Sequence, residues 1–117
     1  SSDLYEDRQQ ALNNTSPSTA GALIDGLVPP NSIGHFQTHY TEPGDASVAF
    51  TSPDETNFVP AFGTGDLNTR SGATDGSLNF FRKTNSSSQI RYRSTSGAVN
   101  LFQIHALGWW DSRGRDD

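Results

Sequence analysis

The segment Gln89-Ile-Arg-Tyr-Arg-Ser94 alternates polar and apolar side chains at every step, and that period of two is the mark of a β-strand with one dry face and one wet face. Ile90 and Tyr92 take the dry face; Gln89, Arg91 and Arg93 take the wet one. The signal repeats on both sides of it. Ser77–Lys83 and Gln89–Ser94 flank Thr84-Asn-Ser-Ser-Ser88, a hairpin by composition, and Thr95-Ser-Gly97 turns the chain into the long run Ala98–Trp110. In that run Val99, Leu101, Gln103, His105 and Leu107 share one face, and Asn100, Phe102, Ile104 and Ala106 the other. Both faces are largely apolar, as in a central strand or one held between a core and a subunit interface.

Upstream, Ile33–Tyr40 and Ala46–Thr51 read as strands, closed by Thr41-Glu-Pro-Gly-Asp45 and Ser52-Pro-Asp-Glu55 as turns. Asn57–Phe62 contains Pro60 and reads as an edge strand or an extended segment. Gly63–Gly76 reads as a long polar loop open to ligands or partners. Short strands joined by such turns predict an all-β fold, an antiparallel β-sandwich or jelly-roll-like domain over residues 31–117.

Residues 1–30 have a different character. Ser2-Asp3 caps a run of helix formers, and helical spacing puts Leu4, Arg8, Ala11 and Leu12 on one side, which predicts an extended or short-helical N-terminal arm. A second apolar patch, Leu23, Ile24, Leu27 and Val28, precedes Pro29-Pro30. Core material is scarce here. Counted with glycine and without tyrosine, the apolar share is about 38% against roughly 45–50% for a typical soluble domain. A single domain of 117 residues so composed draws its missing burial from other copies of itself. The arm, through Leu23, Ile24, Leu27 and Val28, is the expected intersubunit contact.

Charge narrows the partners. Residues 1–75 hold ten acids against Arg8 and Arg70, whereas residues 76–117 hold six bases against Asp111, Asp116 and Asp117. The two parts attract each other. An acidic chain is a poor partner for nucleic acid, although Arg82, Lys83, Arg91 and Arg93 form a local basic patch. Seven of the eight bases are Arg, which suits interface ion pairs and planar recognition of carboxylates. No stretch approaches the roughly 20 apolar residues of a membrane span, so no membrane insertion is expected. Cysteine is absent, and methionine is absent even at position 1, so the chain reads as a processed product or a piece of a longer polypeptide.

No residue set names a reaction, and no catalytic residue, metal site or cofactor is expected. His35 and His39 lie roughly 13 Å apart along one strand face by strand rise, too far to share a metal within one chain. His105 reaches either one only through the fold. Asp66-Leu-Asn68 to Asp75-Gly76 has oxygen donors but misses the calcium-loop pattern. The candidate binding residues are an aromatic and basic set: Tyr92, Arg91, Arg93, Trp109 and Trp110. Flat aromatics of this kind stack on sugar rings, and the same side chains serve equally to close a core or a subunit interface.

The pattern Ile90-Arg-Tyr-Arg-Ser-Thr-Ser-Gly97, then an apolar strand, then Gly108-Trp-Trp-Asp-Ser-Arg-Gly-Arg115 resembles the terminal β-domains of trimeric bacteriophage tail fibres, spikes and related virion-surface proteins. The match covers the C-terminal third only. It implies a homotrimeric β-sandwich on a virion or outside the cell, acting in host attachment or capsid decoration without catalysis. Its implied partners are itself, other virion proteins and a host surface glycan. It carries over no receptor-binding residue. The competing readings are a monomeric carbohydrate-binding module, and a small enzyme that depends on His35, His39 or His105.

Overall fold

Strict alternation, where the sequence has it, becomes strand, and strands alone build the fold. The computed structural model describes residues 2–61, 63–70 and 76–110. In chain order the strands are β1 (Ser2–Asn13), β2 (Ala22–Asp25), β3 (Ile33–Thr41), β4 (Ala46–Thr51), β5 (Leu67–Thr69), β6 (Ser77–Lys83), β7 (Gln89–Ser94) and β8 (Leu101–Trp110). All pairings are antiparallel, and the described residues contain no helix. Two four-stranded sheets result, ordered β1-β8-β3-β6 and β2-β7-β4-β5.

The inner faces of the two sheets share one core, in a sandwich-like arrangement. From the first sheet Phe36, Tyr40, Phe80, Phe102, Ile104 and Ala106 are buried; from the second, Val48, Phe50, Ile90 and Tyr92. Phe102 is fully enclosed. Its ring centroid lies 5.5 Å from that of Tyr40, 6.4 Å from Phe50 and 5.1 Å from Tyr92, while Phe50 stacks on Phe80 at 4.1 Å. Aromatic rings bury the most area per residue, which is how a chain poor in aliphatic side chains fills a core. Buried hydroxyl groups pair across the core: Tyr40 and Ser94 meet at 2.7 Å, and Thr38 donates to the Gln103 carbonyl at 2.9 Å; Ser47 Oγ is buried without a partner among the described residues. As expected, β8 is a central strand, with β1 on one side and β3 on the other.

Of the two forms expected for the N-terminal arm, extended or short-helical, the helical one, over residues 2–12, is corrected. The segment is β1, running antiparallel to β8 from the pair Ser2 and Trp110 to the pair Asn13 and Gln103. Intrinsic helix preference is weak, and strand pairing overrides it. Two breaks of register, between Leu4 and Gln9 and between Gln10 and Leu12, bring Tyr5, Ala11 and Leu12 against the core at spacings no regular strand gives. Residues 22–25 form β2 along β7. The segment up to residue 30 thus supplies an outer strand to each sheet. Of the four apolar residues expected at an intersubunit contact, Val28 is buried in this chain's own core, Ile24 and Leu27 pack partly against it, and Leu23 is half exposed.

The long polar loop also holds a short strand, β5, paired with β4; Phe62 and residues 71–75 lie outside the described residues. Residues 57–61 form no strand. Gly65 lets this loop close on β4. A Cβ there would overlap Ser47 Oγ, and its absence allows Asp66 N to donate to the Val48 carbonyl at 3.0 Å.

Candidate functional site

The residues expected to form one aromatic and basic surface are divided between the two sheets. Arg91, Tyr92 and Arg93 stand on β7, Trp109 and Trp110 on β8. Tyr92 is buried, and its hydroxyl oxygen accepts from Ser18 N at 3.0 Å. Arg93 Nε donates to the Thr19 carbonyl at 3.0 Å. Arg91 is a clamp for the loop after β4: its guanidinium donates to the carbonyls of Ser52, Pro53 and Glu55 at 3.3, 3.0 and 2.7 Å. These arginines are occupied in holding their own chain.

Between β3 and β8 the register shifts at one step, where the move from His35 to Phe36 is matched by a move from Gly108 to Ala106. Leu107 is the extra residue. A bulge of this kind reverses which face the following residues take, so Trp109 turns inward, edge-on to Tyr5 at 5.3 Å, and Trp110 turns outward. The glycine beside it was the available signal, since glycine inside a strand often marks a bulge.

Outward-turning Trp110 completes an apolar row that composition did not reveal. Across the outer face of the sheet β1-β8-β3-β6, at one end, Leu4, Ile33, Phe81 and Trp110 are 76, 36, 49 and 49% exposed. They are neighbours by register. Ile33 faces Trp110 on β8, His35 lies between Phe81 on β6 and Gly108 on β8, and Leu4 faces Gly108 from β1. His35 stacks on Phe81 with centroids 4.4 Å apart and planes 18° from parallel.

All three histidines of the chain lie on this outer face. His39 and His105, unconnected in the sequence, come to 6.5 Å between ring centroids, edge to face, because His105 sits opposite Gln37 and His39 opposite Gln103. Arg8 reaches across from β1 and donates to Gln37 Oε1. Burial, then the Arg8 charge, then His39 hold the His105 imidazole below its ordinary value of 6.5, and its buried Nδ1 has no hydrogen-bond partner. Among the described residues no three metal-ligating side chains stand close enough to hold an ion.

The sign for stability follows from the direction of that shift. An unfolded chain takes up a proton at His105 more readily than the folded one, so stability is whole above pH 6.5 and declines as the pH falls through the lowered value. The expected result is a urea midpoint that falls between about pH 7 and pH 5, with a smaller fall in His105→Asn. An equal fall in the two proteins would refute the assignment.

At the β6 edge, sharing Ile33 and Phe81 with the apolar row, lies a cleft of about 970 Å³ between Phe81–Lys83 and the loop that follows β4. Arg82 crosses it, bonded to the Phe50 carbonyl at 2.8 Å and paired with Asp66 at 3.1 Å, while the other Asp66 oxygen accepts from Phe50 N at 2.7 Å. No protein-family model matches the chain, and no curated protein matches it.

Proposed function

We propose that the chain is a non-enzymatic, self-associating subunit of a virion surface or tail assembly, whose copies meet through the outer face of the sheet β1-β8-β3-β6. The apolar row of Leu4, Ile33, Phe81 and Trp110 carries this reading. Single exposed apolar residues need no explanation, but a contiguous row across all four strands of a sheet marks a contact surface. Association at this face adds the burial that the chain's composition lacks.

The strand order supports the setting. An eight-stranded fold wired β1-β8-β3-β6 against β2-β7-β4-β5 fits a jelly roll, the double-sheet architecture that recurs in viral coat and lectin domains. A homotrimer is the closed assembly that the C-terminal resemblance implies, on the virion or outside the cell. The test is the native mass in solution, by light scattering behind a sizing column. A stable trimer or larger closed assembly supports the reading, and a clean monomer of 12.7 kDa removes it.

A further inference from the structure

We infer that the cleft beside β6 is a binding site for a neutral sugar ring. Its volume of about 970 Å³ lies within the range of small-molecule sites. Phe58, half exposed on the loop after β4, lines it away from the apolar row and is the platform for the sugar; Phe81, at the border of the cleft, belongs to the row. The Phe58 ring offers flat apolar area at little cost in side-chain entropy, which suits the C–H face of a pyranose.

The polar groups decide what else the ligand must carry. Arg82 and Asp66 are paired with each other and bonded to the Phe50 backbone, so the guanidinium charge is already matched before a phosphate or sulfate could reach it. Glu55 accepts from Ser52 N at 2.9 Å through one oxygen and keeps its charge and its other oxygen. Asp54, Thr56 and Lys83 also line the cleft, and their side chains make no hydrogen bond or ion pair among the described residues. Asp54, Glu55 and Asp66 against Arg82 and Lys83 leave the lining with one negative charge, which disfavours an anionic ligand, while the unpaired carboxylate, hydroxyl and ammonium groups supply acceptors and donors for adjacent hydroxyl groups.

The walls are fixed in advance. Arg91 holds three carbonyls of the loop, the Glu55 N–H donates to the Ser52 carbonyl at 3.0 Å, and Ser52 Oγ accepts from Lys83 N at 3.1 Å, tying the loop to β6. A site whose loop is already ordered loses less entropy when a ligand enters. An open cleft still gives weak affinity, with a Kd on the order of 1 mM for a single ring.

The experiment is saturation-transfer difference NMR on the full chain with five methyl glycosides, of galactose, glucose, mannose, fucose and N-acetylgalactosamine, and with N-acetylneuraminic acid as the charged probe. The expected result is transfer to the ring C–H protons of at least one neutral glycoside, loss of that transfer in Phe58→Ala, and a Kd about tenfold higher in Asp54→Asn. Three results would each overturn the assignment: no transfer to any of the five, transfer that Phe58→Ala leaves unchanged, or tighter binding of the acidic sugar than of every neutral one. Phe58 and Asp54 lie off the apolar row, so native mass on the same samples separates the two readings. A monomer that binds sugar removes only the self-association; an assembly that ignores all five glycosides removes only the sugar site.

Discussion

Phe102→Ala is expected to cost about 3–5 kcal/mol of folding stability, the range for truncating a fully enclosed aromatic ring. The residue occupies the middle of the fold. It stands on β8, the strand that joins β1 to β3, and its ring touches Tyr40 from its own sheet and Phe50 and Tyr92 from the opposite one. Removing the ring leaves a cavity bounded by both sheets, beside the hydrogen bond that ties Tyr40 of one sheet to Ser94 of the other at 2.7 Å. In a domain whose whole stability is about 5–15 kcal/mol, such a loss moves the urea midpoint by a large fraction of its value while the slope stays constant. Ile104→Val, one inward position along the same strand, is the control and should cost about 0.5–1.5 kcal/mol. A loss below about 1 kcal/mol in Phe102→Ala would mean that the two sheets do not close over a common core.

Ile90 and Tyr92 were legible as core because β7 alternates without interruption; β8 alternates as far as Ala106, but both of its faces read as apolar, and only its pairing puts Phe102, Ile104 and Ala106 inside. The other end of the chain was not legible, for a local reason. β1 has two breaks of register, so its inward residues follow no period of two, and a run of Glu, Arg, Gln, Ala and Leu then reads as helix. β2 and β5, with 4 and 3 residues, are too short for any period to appear. Such elements are fixed by their partners rather than by their own sequence.

The surface was less legible than the core. Phe80 and Phe81 are adjacent aromatics, and only the pairing of β6 with β3 says that Phe80 turns in and Phe81 out. Trp109 and Trp110 exchange the roles that simple alternation gives them because of the single bulge at Leu107. The approach of His39 to His105 depends on the β3–β8 register, a pairing between distant parts of the chain. The clamp formed by Arg91 was invisible for a different reason: its partners are backbone carbonyls, which every sequence supplies everywhere.

The apolar row yields the second large effect. The double variant Phe81→Asp, Trp110→Asp is expected to dissociate the proposed assembly into folded monomers. Both side chains are about half exposed within a single chain, so exchanging them removes little from the intramolecular core and the far-UV spectrum and urea midpoint should change slightly. In the assembly the same positions would be covered. Each aspartate would then have to leave water without a partner, at a cost of several kcal/mol, and a dissociation constant raised about a thousandfold or more follows. Leu23→Asp is the informative control. Leu23 is also half exposed but belongs to β2, at the edge of the other sheet, and the arm reading places it in the intersubunit contact. If light scattering reports the full assembly for Leu23→Asp and monomers for the double variant, the contact lies on the outer face of β1-β8-β3-β6. The reverse pattern would move it to β2, and a double variant that keeps the wild-type mass would show that the row of Leu4, Ile33, Phe81 and Trp110 joins no copies at all.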